Sequence, residues 1–222
     1  MFIFPYRDKK SLDDLAAQHG AELVLVDDPK LLFPTAQRIA EEEGRTFVHP
    51  FDSVYTMQGT ATAGLELTTQ VPKLDAMLLP IGGGGLCGGF AAAVKQVWPE
   101  CQIIGVEPTG ASTMHDSFAA EEAVFAESIS TIADSLAPPM ATPFSYSVNR
   151  AFLDKVVLVS DEQLVDAMRL IFRGLKCAVE PAAAATTAAL IGPLKEELAG
   201  KKVGVILCGS NIEIDDFMGK VV

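Results

Sequence analysis

Positive charge is scarce. The 222 residues hold 17 Lys and Arg against 29 Asp and Glu, a formal net charge of −12. Nucleic acids and anionic membrane surfaces are gripped by basic patches, so this balance argues against both. It leaves room for a local phosphate site, because backbone amides can supply the field by themselves. Cysteine is sparse as well. The four cysteines, Cys87, Cys101, Cys177 and Cys208, stand far apart, with no C-x-x-C and no His/Cys ligand spacing. That argues against zinc and fits reduced thiols in a cytoplasmic protein, with Cys87 and Cys177 expected as packed core residues. Met1-Phe2-Ile3-Phe4 is too short for a signal peptide, and no apolar run approaches a membrane span. No Gly-Lys-Ser/Thr follows a glycine run, which excludes a P-loop.

What is present is apolar residue. Hydrophobic side chains make up 49% of the chain. That suits one medium domain, or a domain with part of another, stable without disulfides or structural metals. Phe2 to Pro5 and Glu22 to Val26 read as strands, with an amphipathic helix over Ser11 to His19 between them. Pro34 suits the first turn of a helix that ends at Gly44, and Thr46 to Val48 reads as a further short strand. This β-α-β-α-β order predicts a parallel sheet. Asp52 or Ser53 is positioned to cap a helix running to about Gln70. Strands are expected at Ala76 to Leu79, Gln102 to Glu107, Val156 to Val159 and Val203 to Leu207, and a helix over Ser112 to Ala120. Residues 121–150 show no regular period, so a long, site-lining loop is expected there. Ser160 to Gln163 forms a capping box ahead of a helix whose core face is Leu164, Met168, Ile171 and Leu175. An alanine-rich helix follows Val179-Glu180-Pro181.

The chemistry concentrates in Ala76 to Gly89, AMLLPIGGGGLCGG. An apolar strand feeds Gly82, Gly83, Gly84 and Gly85, and a helix begins just after them. Glycines let the backbone approach an anion, and a helix start turns unpaired N–H groups and the positive end of its dipole outward. The stretch therefore reads as an anion cradle, most naturally for a phosphate. Gly83-x-Gly85-x-x-Gly88 also satisfies G-x-G-x-x-G, with Glu107 about 20 residues on at a strand end, so a dinucleotide site is a second reading.

The wider order of segments narrows this. VHPFDS, Gln58-Gly59-Thr60, PIGGGGLCGG, IIGVEPTGA, TIADSLA, VVLVSDEQLVDAMRLI, AVEPAAAA and ILCGSNIE follow one another across nearly the whole chain. This order resembles the serine/threonine dehydratase and serine racemase family of pyridoxal-phosphate (PLP) enzymes, of fold type II, in the tryptophan synthase beta-like superfamily. The resemblance implies a three-layer α/β fold around a parallel sheet. Residues 1–48 would be the remnant of a small α/β domain and residues 49–222 a large PLP-binding domain. It implies that Gly82, Gly83, Gly84, Gly85 and Leu86 hold the cofactor phosphate and that Cys208, in LCGSN, faces the pyridine nitrogen. A neutral thiol there cannot keep the nitrogen protonated as an aspartate would, which tunes the cofactor toward β-elimination. Glu180 matches an acid near the ring, and reads equally as an acid ahead of a helix. Glu107 and the Ala111 carbonyl match a cation site, mono- or divalent. Thr113 stands where racemases carry a second acid, and Glu107 reads equally as a plain strand-end residue. Ser135, in ADSLA, replaces a common family glycine and is expected to narrow the space over the cofactor. His49 and His115 show no catalytic partner in the sequence.

The activity implied is deamination of L-serine or L-threonine to a 2-oxo acid and ammonia, with racemase or hydroxyaspartate dehydratase as near alternatives. The partners implied are a small amino-acid substrate and further copies of the chain in a homo-oligomer. Two family segments do not occur in these residues: one resembling S-F-K-x-R-G-A, with the Schiff-base lysine, and one resembling S-x-G-N-H, which takes the substrate carboxylate. Lys95, Lys155, Lys176 and Lys195 lie on helices or just before a strand. The resemblance therefore implies a truncated enzyme, inactive by itself. A non-catalytic PLP-binding or partner subunit, and a dinucleotide-binding oxidoreductase, stay as alternatives.

Overall fold

A computed structural model describes residues 2–5, 18–28 and 31–222, which fall into two compact units, residues 1–48 and 49–222. The helix expected over Ser11 to His19 lies largely outside the described residues. In the first unit β1 (Phe2–Pro5) pairs in parallel with β2 (Leu23–Val26), Phe2 opposite Leu23. Helix α1 (Leu32–Glu43) buries Ala36 and Ile39, one turn apart. It stops at Gly44, whose left-handed φ of 64° lets its N–H bond the Ala40 carbonyl. Thr46 to Val48, expected as a strand, is irregular and exposed. A β-prone triplet becomes a strand only beside a partner ladder, and none of the described strands pairs with it.

The second unit is built on a four-stranded parallel sheet in the order β5-β4-β3-β6. Its strands are β3 (Ala76–Pro80), β4 (Gln102–Pro108), β5 (Lys155–Val159) and β6 (Val203–Val205). β3 is buried along its whole length, as a strand covered on both faces must be. Alternate residues go to opposite sides. Ala76 and Leu78 enter one core with Val106, Val159, Leu164 and the alanines of residues 182–189; Met77 and Leu79 enter another with Phe90, Val94, Ile103 and Trp98. The sheet thus lies between two helical layers, a three-layer α/β arrangement. The two outer strands, β5 and β6, sit at the edges and stay partly exposed, and β6 pairs over only three residues.

Ser53 caps α2 (Val54–Gln70) by accepting the Tyr55 N–H. Helix α3 (Gly85–Val97) follows the glycine loop, and α4 (Thr113–Ala120) follows β4. Within residues 121–150, where no regular structure was expected, a short 3-10 turn covers Asp134–Leu136 and a helix, α5, covers Pro143–Phe152. Helix α6 (Asp161–Leu175) carries the expected capping box, with both reciprocal bonds formed. Leu164, Met168 and Ile171 are buried as expected, but Leu175, in the last turn, is 62% exposed. Helix α7 (Pro181–Ile191) is buried on nearly every side, and α8 (Ile214–Val221) closes the described chain with Phe217 inside.

Candidate functional site

The glycine loop leaves the carboxyl end of β3, the edge where parallel sheets take ligands. The Ile81 N–H still bonds the Val106 carbonyl, and the chain then turns through Gly82 to Gly84 into α3. Gly84 takes φ +84°, a conformation that side chains disfavour. The neighbours also require glycine. A Cβ on Gly83 would lie 2.1 Å from the Phe51 ring, and one on Gly84 would lie 2.4 Å from the Ser145 hydroxyl. Three consecutive loop carbonyls receive side-chain donors. The Ser145 hydroxyl bonds Gly83 O, Asn149 Nδ2 bonds Gly84 O at 3.1 Å, and the Thr60 hydroxyl bonds Gly85 O at 2.8 Å. The N–H groups of Gly83, Gly84, Gly85 and Leu86 meet no acceptor among the described residues. A ring of unpaired amides at a helix start, backed by anchored carbonyls, fits a phosphate.

The loop is joined to a second group through the Asp134–Leu136 turn. A Cβ on Gly82 would lie 2.9 Å from the Ser135 carbonyl. Ser135 and the Asn211 N–H lie on the Glu180 carboxyl's side of this turn and favour its charged form. Glu180 precedes α7, and its Oε1 would lie 2.5 Å from a Cβ on residue 209, so the carboxylate sits against Gly209. Burial raises the Glu180 carboxyl above its ordinary value, and the nearby Asp134 adds to this against the smaller pull of Asn211 and Ser135. Cys208 adjoins Gly209. Burial on one side raises its thiol, and the Glu180 charge raises it further, so it stays neutral. An open cleft of about 430 Å³ runs along Cys177, Val179, Leu207, Cys208 and Ser210. Cys177, expected in the core, is exposed: it follows Lys176, whose φ of 59° ends α6 and turns the chain outward. Cys87 and Cys101 are the buried pair, and burial raises Cys101 to about 11.

Glu107 lies apart from these groups in role. It is fully buried, and its two oxygens accept the N–H groups of Met114 and His115 at 2.9 and 2.7 Å, which caps α4. Burial raises its carboxyl to about 8, outweighing both hydrogen bonds, and Asp116 adds a smaller push upward. A buried acid committed to helix amides is unavailable to ribose hydroxyls, so the dinucleotide reading fails here. For a cation the fit is partial. Thr113 Oγ1 is buried near this acid without a partner among the described residues, yet no group of three His, Cys, Asp or Glu forms a metal cluster among them.

The remaining candidates have structural roles. His49 Nδ1 accepts the Phe51 and Asp52 N–H groups, which fits the lowering of its pKa by burial against the pull of Asp52. His115 lies beside Asp116 on the surface. Lys95 is paired with Asp154 at 2.9 Å and Lys155 with Glu197 at 2.6 Å, while Lys176 Nζ caps the Arg173 carbonyl. Sequence reasoning missed Thr60, Ser145 and Asn149, whose bonds to the loop span 25 to 65 residues. The glycines were the only local sign that something must hold the loop.

Residues 2–209 match the family described as pyridoxal-phosphate dependent enzyme, and the chain belongs to that family. It is 52% identical over 203 residues to a phenylserine dehydratase of Ralstonia pickettii, covering 91% of this chain and 62% of the relative. It is 38% identical over 183 residues to a serine racemase of Oryza sativa subsp. indica, covering 81% of this chain and 54% of that one. Among solved structures, maize serine racemase superposes with a TM-score of 0.89 at 32% identity, over 98% of this chain and 67% of the other. A threonine deaminase of T.th. gives 0.86 at 32% identity, over 96% and 70%. The chain therefore spans only about three fifths of the Ralstonia relative's length. The fold is that of the fold type II PLP enzymes, and pyridoxal 5′-phosphate is the family's cofactor. No helix among the described residues is long and apolar enough to cross a membrane.

Proposed function

We propose that residues 49–222 supply the phosphate and ring-nitrogen contacts of a PLP-dependent dehydratase for 3-hydroxy amino acids, with an aryl-bearing substrate of the phenylserine kind preferred. The observation that carries the site is the set of unpaired amides at Gly83 to Leu86, set against three anchored carbonyls. The 52% identity to a protein named phenylserine dehydratase supports the substrate class. In this reading Gly82, Gly83, Gly84, Gly85 and Leu86 bind the phosphate through the helix start, and Cys208 faces the pyridine nitrogen as a neutral thiol. Glu180, beside Ser135 and Asn211, lies near the ring with its carboxyl raised by burial. Ser135 narrows the space over the cofactor. When bound, pyridoxal phosphate supplies the electron sink for a bond broken at the substrate α-carbon. The lysine that would take the α-proton belongs to a segment not found here, so residues 1–222 bind the cofactor without turning substrate over.

The test is ammonia release from L-phenylserine, L-threonine and L-serine at saturating PLP, together with borohydride reduction. Residues 1–222 alone are expected to bind PLP, release no ammonia and yield no reduced lysine adduct. Turnover or a trapped adduct on this chain would overturn the inactivity. Joined to a lysine-bearing leading segment, the protein is expected to act fastest on phenylserine, and a clear preference for serine would remove the aryl assignment. A racemase is the second reading, favoured by the rice relative. In it the cation would meet the Ala111 carbonyl and a Glu107 whose two oxygens already hold the Met114 and His115 amides, so further ligands would be needed.

A further inference from the structure

Four glycines in a row carry no side chains to stiffen them, yet the cradle works only if their amides all face the anion. A trans peptide is planar, with its C=O and the following N–H pointing opposite ways. Anchoring a carbonyl at the rear of the loop therefore turns the next amide to the front. Gly83 O fixes the Gly84 N–H, Gly84 O, which also accepts the Gly88 N–H at 2.8 Å, fixes the Gly85 N–H, and Gly85 O fixes the Leu86 N–H. Two of these anchors, Ser145 and Asn149, come from one face of α5, a turn apart.

We propose that Ser145 and Asn149 are positioning residues of the phosphate cradle, holding the Gly83 and Gly84 carbonyls to the rear so that the amides of Gly84 and Gly85 face the cofactor phosphate. This rests on the reading of the loop as a phosphate site. The anchor is itself built. Asp52 Oδ1 accepts the Thr142 hydroxyl and the Ser145 N–H, which fixes the start of α5. Asn149 Nδ2 donates to the Ser145 carbonyl at 2.8 Å as well as to Gly84 O, so a nitrogen donor is required and a carboxylate would face two carbonyls. Both side chains are fully buried, and Asn149 Oδ1 has no partner among the described residues. An apolar residue at 149 would remove the orphaned Oδ1, whereas one at 145 would strip Gly83 O of its donor. The polar pair makes sense as a device acting on the loop backbone.

The experiment is a titration of the full chain with inorganic phosphate, followed through the backbone amide resonances of Gly83 to Leu86, with PLP and dephosphorylated pyridoxal affinities measured alongside. In the parent the Gly84 and Gly85 resonances are expected to move on phosphate addition. In Ser145→Ala and Asn149→Ala those shifts shrink, and PLP and phosphate affinity fall about tenfold each, the scale of one lost hydrogen bond. Pyridoxal affinity stays unchanged, and Ser145→Thr, which keeps the hydroxyl, restores the shifts. If the variants keep a native spectrum and bind phosphate like the parent, the positioning role is wrong. Equal losses for PLP and pyridoxal overturn it too, since they mark general damage. If the parent's loop amides ignore phosphate, the cradle reading itself falls and takes the proposal with it.

Discussion

Glu107 shows how one residue sets a pH dependence. Its carboxyl sits near 8 in the fold, against an ordinary value near 4.5, because burial outweighs two helix amides. A folded state that holds its proton more tightly than the unfolded chain is most stable where both are protonated. The contribution is full below about pH 4.5 and is lost progressively as pH rises through about 8. At about 1.4 kcal/mol per unit the whole span is on the order of 4–5 kcal/mol. Urea denaturation from pH 5 to 8 is expected to show a downward slope in unfolding free energy that Glu107→Gln flattens. Parallel profiles for parent and variant would contradict the assignment. The same residue shows why composition alone misleads. Glu107 read equally well in the sequence as a ribose acid, a cation ligand or a plain strand-end residue, and only the bonds from Met114 and His115 show that it caps a helix.

Among the elements, α6 was legible and α5 was not. The first announces itself through Ser160 and Gln163 and an apolar face repeating at helical spacing. Ser160→Ala removes the acceptor for the Gln163 N–H and is expected to lower stability by about 1 kcal/mol. A shift in the thermal or urea midpoint measures it, and an unchanged midpoint would show that the box adds nothing here. The second, Pro143–Phe152, carries Ser145, Ser147 and Asn149, which favour turns and caps in isolation. Its buried face is the polar one, Ser145 and Asn149, because it binds backbone, so the residues that matter are not those an apolar pattern points to. The strands and the glycine loop were readable for the opposite reason: runs of buried apolar residues and consecutive glycines are local signals. Contacts such as Thr142 to Asp52, 90 residues apart, leave no local trace.

For the molecule as a whole, charge and an open sheet edge pull in opposite directions. A net charge of −12 and a pI near 4.6 keep copies apart at neutral pH. The β6 edge leaves Val205 partly exposed, with Leu207, Ile214 and Met218 exposed nearby in sequence, the kind of edge that invites pairing. Sedimentation velocity is therefore expected to show self-association that grows as pH falls from 8 toward 5 and as salt screens the charge. A monomer under all these conditions would show that the edge is inert. A deeper constraint lies in β3, whose alternate residues serve two cores while its last residue launches the cradle. Odd and even positions there are a shared parity. Adding or deleting one residue between Ala76 and Pro80 would send Met77 and Leu79 to the side shaped for Ala76 and Leu78, and would launch the glycines toward the wrong face of the sheet. The packing of both layers and the aim of the phosphate loop thus depend on the same count of residues, and neither can drift without the other.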